Sequence, residues 1–253
     1  MFIIRMNFIA QGLIYQIMKT ILFDLDGTLL PIRPENFRLF FEEYIKLISG
    51  FCAQLVNPQL FAGTLIDATR LMMRNDGSRT NEEVFMSHFL PKLNISGEVI
   101  YPLLERFYLT EFVGLKKHTD PSELSGQIVQ EALDRGWQVV LATNPVFPRV
   151  AIDERMNWAN IRDFPWYYVT SYEKSRACKP SLLYYQDLVE KLSLNPEECW
   201  MIGNDKDEDM VAGRLGFKTF LVTDNSIGEG NNAPQPSEQG TMRELLCYIR
   251  GYL

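Results

Sequence analysis

Histidine and cysteine are scarce in this chain: of 253 residues, two are His (His88 and His118) and four are Cys (Cys52, Cys178, Cys199 and Cys247). The cysteines lie far apart and form no CxxC pair, which leaves too few and too scattered soft ligands for zinc. They read as reduced thiols of a cytoplasmic protein, and both histidines read as ordinary surface or cap residues. Basic runs are missing as well. With 25 Lys and Arg against 32 Asp and Glu the formal charge is −7, and nothing here could track a nucleic-acid backbone. No segment reaches the roughly 20 apolar residues that span a bilayer, so neither nucleic acid nor membrane is an expected partner. Internal repeats and low-complexity tracts are also lacking.

What is present is an ordinary globular balance, 46% apolar and 23% charged, in a chain long enough for a core domain plus a smaller one. The apolar start MFIIRMNFIAQGLIYQI superficially resembles a secretory leader. Asn7, Gln11 and Gln16 interrupt it, no small-residue cleavage site follows, and a strand begins almost at once. Residues 1–17 are therefore expected to be an extension or an artefact of an upstream start, with Met18 the natural beginning.

Short apolar runs bounded by turn residues at 20–23, 137–142, 166–169, 199–202 and 219–222 read as buried strands. Helical stretches at 147–159, 181–192 and 209–215 alternate with the last four, predicting a parallel α/β sheet with helices on both faces, doubly wound in the Rossmann manner. Asp120 with Pro121 and Glu123 reads as a helix start, as does Asn195 with Pro196. Residues 225–240, rich in Asn, Gly and Pro, read as a loop before a Thr241/Glu244 capping box. About ninety residues separate Leu29 from His118, where a simple crossover needs only a dozen or so. Apolar residues at helical spacing fill this interval, as at Phe37, Phe40, Phe41, Tyr44, Ile45 and Ile48, and predict a small α-helical cap over 34–113, with 18–33 and 114–253 forming the core.

The strongest chemical signal is Asp24-Leu25-Asp26-Gly27-Thr28 directly behind the first strand. Alternation puts the two carboxylates on one side. Their mutual repulsion is relieved by a divalent cation. Gly27 permits a tight turn, and Thr28 offers a hydroxyl to a phosphate oxygen. Thr143-Asn144, Lys179-Pro180 and Gly203-Asn204-Asp205 with Asp209 follow at later strand ends, where open α/β sheets bind their ligands.

In this set and order the motifs resemble the haloacid dehalogenase superfamily, over most of the chain from Met18 to about Val222. The resemblance implies a magnesium-dependent enzyme in which Asp24 attacks phosphorus to give an aspartyl phosphate, Asp26 serves as general acid and base, and Thr28, Thr143, Asn144 and Lys179 hold phosphate oxygens. Magnesium would be held by Asp24, Asp26 and the cluster Asn204, Asp205 and Asp209. In the family pattern an aspartate directly follows the glycine occupied here by Gly203, so Asn204 departs from it, and either Asn204 or Asp205 is the ligand in that loop. The dehalogenase branch lacks the second acid, so Asp26 favours phosphate-ester hydrolysis of a small phosphorylated metabolite. A phosphotransferase or mutase with the same intermediate is the alternative, as is a non-catalytic phosphate-binding module. The substrate and the oligomeric state are not legible.

Overall fold

The computed structural model describes residues 19–231 and 233–253; the expected 1–17 extension lies outside the described residues. Six strands form one sheet in the order β3-β2-β1-β4-β5-β6, every neighbouring pair parallel. They are β1 (Thr20–Phe23), β2 (Gln138–Leu141), β3 (Tyr168–Val169), β4 (Cys199–Gly203), β5 (Lys218–Val222) and β6 (Glu238–Gly240). The chain is an α/β fold of the Rossmann-like, doubly wound kind, and β1 lies at the switch point between β2 and β4, where the carboxyl ends open a crevice.

Alternation along the strands sorts the core into two layers. Ile21, Phe23, Val139, Leu141 and Ile202 face one layer, and Leu22, Val140 and Met201 the other. The first is covered by α5 (Glu123–Asp134), α6 (Arg149–Trp158) and α8 (Met242–Tyr252), the second by α7 (Leu182–Leu192) and a 3-10 run, Met210–Leu215. Between β1 and β2 stand α1 (Pro34–Phe51), α2 (Pro58–Met72), α3 (Asn81–Leu93), α4 (Gly97–Thr110) and a 3-10 run, Phe112–His118. Their apolar residues join the first layer in one continuous cluster. The join is aromatic: Phe112 stacks on Trp158 of α6 with centroids 5.4 Å apart, and Tyr44 meets Phe147 edge-on at 5.2 Å. Such contacts add to plain area burial. No helix among the described residues is long and apolar enough to cross a membrane.

Local chemistry explains most boundaries. The Thr241/Glu244 capping box forms as expected, and Thr80 with Glu83 forms another at the start of α3. Three local expectations are corrected. The cap of α5 is Ser122, whose side chain accepts from the Leu124 N–H at 3.2 Å, while Asp120 pairs with Arg33 at 3.1 Å. Asn195 caps only the three-residue 3-10 turn Pro196–Glu198. The expected loop 225–240 ends in β6, an edge strand too short to carry a periodic signal.

Candidate active site

The turn after β1 folds back on itself. The N–H groups of Thr28 and Leu30 donate to the Leu25 carbonyl at 3.1 and 2.7 Å, and Gly27 N–H donates to Leu30 at 2.8 Å. Gly27 has φ +87°, and a Cβ there would lie 2.3 Å from the Asn204 side-chain nitrogen. Only glycine lets the loops after β1 and β4 cross this closely. Asp24 N–H bonds the Ile202 carbonyl at 2.8 Å, which fixes the end of β1 against β4.

Lys179, fully buried just before α7, donates to Asp24 Oδ1 at 2.9 Å and to Asp209 Oδ1 at 2.6 Å. The second Asp209 oxygen accepts the Asp205 N–H at 3.0 Å. Gly203 makes the room for this: a Cβ there would stand 2.0 Å from Asp209 Oδ2. Thr28 Oγ1 is within reach of Asp24 Oδ2 (3.3 Å) and of Asn204 Oδ1 (3.1 Å) and donates to one at a time.

In the acidic loop the two candidate ligands differ in what they have left to offer. Asn204 is buried with both polar atoms engaged, Oδ1 by Thr28 and Nδ2 by the Asn225 carbonyl at 2.8 Å. Asp205 Oδ1 accepts from Asp207 N–H at 2.8 Å and Glu208 N–H at 3.0 Å, and no hydrogen bond to Oδ2 occurs among the described residues. Thr143 is buried with its carbonyl held by Thr170 (2.8 Å) and Tyr184 (3.0 Å). Asn144 commits its side-chain amide to Glu208 at 3.0 Å and leaves Oδ1 buried without a partner among the described residues. Among the described residues, no backbone acceptor takes the N–H of Asp26 or of Asn144.

Two residues escaped the sequence reading. Arg155 on α6 is buried and pairs through Nη1 with Asp26 Oδ2, while Asp26 Oδ1 and Arg155 Nη2 are buried without partners among the described residues. Its signal was an arginine on the same stripe as Ala151, Ile152 and Met156, the buried face of the helix. The other is Glu208. Burial pushes its carboxyl up to about 8 against the pull of Lys179, and pushes Asp209 up to about 6. Burial also raises Asp24, despite Lys179 beside it, and Asp205. Burial alone would lower Lys179, but Asp209 and Asp24 outweigh it and hold the ammonium well above its ordinary range.

These raised carboxyls fix a sign. The folded protein holds protons that the unfolded chain releases, so the contribution is complete below the ordinary carboxylate range and lost as pH rises toward 8. The melting temperature of the metal-free protein should fall between pH 5 and 8.5, and Glu208→Gln should flatten that slope by an amount corresponding to at most about 4 kcal/mol. Equal slopes for the two proteins, followed by calorimetry, would show that Glu208 carries none of it.

A buried cluster of carboxylates around one lysine, at the switch point of a parallel sheet, is where an α/β enzyme carries its chemistry. A family model for haloacid dehalogenase-like hydrolases matches residues 18–216, and the chain belongs to that family. Among solved structures it is similar to a HAD phosphatase from Thermococcus onnurineus (18% identity, TM-score 0.57, covering 92% of this chain and 99% of that one). It is also similar to the L-2-haloacid dehalogenase of Xanthobacter autotrophicus with chloropropionic acid covalently bound (15%, 0.56, 93% and 100%) and to a putative β-phosphoglucomutase from Thermotoga maritima (17%, 0.55, 93% and 100%). No curated protein matches the sequence. At these identities the likeness speaks for the fold, and the reaction has to be argued from the site.

Proposed function

We propose that the protein hydrolyses the phosphate monoester of a small metabolite, with magnesium as cofactor and Asp24 as the nucleophile. The observation that carries this reading is the second carboxylate, Asp26, held beside Asp24 by Arg155 with one oxygen buried and, among the described residues, unpaired. An alkoxide leaves phosphorus poorly without a proton, whereas halide leaves carbon without one. A proton carrier two residues from the nucleophile serves an ester and is superfluous for a haloacid.

The donor set suits a hard cation. Asp24 and Asp209 share one ammonium, Asp26 is neutralised by Arg155, and Asp205 retains a free oxygen, so the cluster carries surplus negative charge with oxygen donors only. Among the described residues no three carboxylate, imidazole or thiol groups already converge as a cage. Asp24, the Asp26 backbone carbonyl and Asp205 are the groups we assign to magnesium, with Asn204 and Asp209 behind them. When bound, the metal supplies electrostatic neutralisation between carboxylate and phosphate.

Asp24 attacks phosphorus in line and carries the phosphoryl group as an acyl phosphate, while Asp26 relays the proton of a monoanionic ester to the departing alkoxide. Asp26 then takes a proton from the water that releases phosphate. Lys179, the Thr143 hydroxyl, Thr28 and the unpaired N–H groups of Asp26 and Asn144 are the donors available to phosphoryl oxygens, where charge accumulates in the transition state. The helical insert over 34–113 is proposed as the cap that selects the metabolite.

The reading is tested by measuring phosphate released from an aryl phosphate and chloride released from 2-chloropropionate, each across a magnesium titration. Phosphate release that EDTA abolishes is expected. Chloride release without phosphate release would overturn the assignment. In the same titration Asp205→Asn should raise the magnesium requirement about tenfold or more, the usual cost of weakening a metal's oxygen shell. An unchanged requirement would transfer the ligand role to Asn204.

A further inference from the structure

A cavity of about 500 Å³ lies within the helical insert, walled by α1 to α4 and bounded by the segment 146–150 that follows Asn144. Its size is that of a small-molecule site. Asp24, Asp26, Lys179 and the acidic loop contribute nothing to its lining, which is apolar and aromatic and includes Phe41, Phe85 and Phe147. Three acids belong to this lining: Glu105 on α4 is exposed to solvent, while Glu82 at the start of α3 and Glu173 in the loop after β3 are half-buried. The segments of Glu82 and Glu173 are tied together, since the Glu82 N–H donates to the Tyr172 carbonyl at 2.9 Å.

Among the described residues, neither Glu82 nor Glu173 has a cationic partner. Glu173 accepts the Arg149 N–H on one oxygen at 2.9 Å, and its Oε2 is buried with no partner among the described residues. Glu82 meets the Tyr101 hydroxyl, and burial, with Glu173 nearby, pushes its carboxyl up. The basic residue among the lining groups, Arg70, is exposed and engaged with Asp67 at 3.3 Å. A buried acceptor without a donor is costly, and two like charges near each other more so. A ligand that brings a cation removes both penalties, and aromatic faces beside the acids favour one further.

We propose that this cavity binds an amine with an apolar body, its ammonium between Glu82 and Glu173 and its hydrocarbon or aromatic part against Phe85 and Phe147. The chemistry is the same whether the amine is a free molecule or the distal end of a phosphorylated substrate. An anion of the same shape is rejected by the two carboxylates.

The test is calorimetric titration of the full chain at pH 7 with 2-phenylethylamine, 3-phenyl-1-propanol and 3-phenylpropionate. The amine should bind at least about tenfold more tightly than the alcohol, because it alone offers a charged donor, and the carboxylate should not bind measurably. Glu173→Gln should weaken the amine about tenfold and leave the alcohol unchanged, and Leu65→Trp, which fills the cavity, should remove both. Inhibition of phosphate-ester hydrolysis by the amine would mark the distal end of a substrate, and unaffected hydrolysis a separate ligand. The proposal fails if the carboxylate binds as well as the amine, if Glu173→Gln binds the amine like the unaltered protein, or if the amine does not bind at millimolar concentration. Should a variant fail to fold, the three probes on the unaltered protein decide the matter.

Discussion

Asp24→Asn should abolish phosphate release, by on the order of 10⁴-fold or more as expected for loss of a covalent nucleophile, while leaving the fold at least as stable as before. The change removes one oxygen's charge and keeps the shape. The Asn side-chain oxygen can still accept from Lys179, which now stands at 2.9 Å from Asp24 Oδ1, and Thr28 keeps its alternative acceptor in Asn204. Burial outweighs Lys179 in raising the Asp24 carboxyl, so a neutral group costs less desolvation there. It also leaves Lys179 facing Asp209 alone, a balanced pair where a surplus negative charge stood before. Lost turnover with a melting temperature equal or higher is therefore the expected combination in metal-free protein. Substantial turnover in the variant, with deamidation excluded by mass spectrometry, contradicts attack by Asp24; a large fall in melting temperature contradicts the charge argument.

How much of this was legible beforehand follows from where each signal sits along the chain. β1, β2, β4 and β5 announced themselves because a strand buried on both faces is apolar almost throughout, and Ile21, Leu22 and Phe23 are all fully buried. β6 did not: its three residues, Glu238 to Gly240, pair with β5 through backbone alone and carry no apolar pattern. The expected helix at 209–215 begins at Met210 and is wound as a 3-10 run, a distinction that side-chain periodicity over six residues cannot make. In the site, Asp24, Thr28, Lys179, Asn204 and Asp209 meet as their positions at strand ends suggested, because parallel strands deliver successive carboxyl ends to one crevice. Arg155 was hidden for the opposite reason. It comes from the middle of α6, away from any strand end, and reaches Asp26 across the layer that α6 covers. The bonding of Asn204 and Asp205 was likewise beyond the sequence, since it depends on Asn225 and on the backbone of Asp207 and Glu208 taking up particular oxygens. Nor could spacing reveal the aromatic join between insert and core, built from Phe40, Phe112, Phe147 and Trp158.

Asp26→Asn should split substrates by their leaving groups. Asn keeps an oxygen for the Arg155 guanidinium, so the ion pair becomes a hydrogen bond and the side chain stays on α6. What disappears is the proton carrier. An alkyl phosphate, whose alkoxide needs a proton as it departs, should lose about 10²- to 10⁴-fold in turnover, the usual worth of a positioned general acid. A nitrophenyl phosphate leaves as a stable phenolate and should still phosphorylate Asp24 at nearly the normal rate. Its hydrolysis then stalls, because the same missing carboxylate would have taken a proton from the attacking water. The expected result is a rapid burst of one nitrophenolate per protein, followed by slow turnover, with phosphate retained covalently on the chain. Equal losses on both substrates without a burst would show that Asp26 acts through the metal or through Arg155 rather than by carrying a proton. Unchanged rates on both would remove it from the reaction, and with it the main reason for reading this member of the family as acting on phosphate esters.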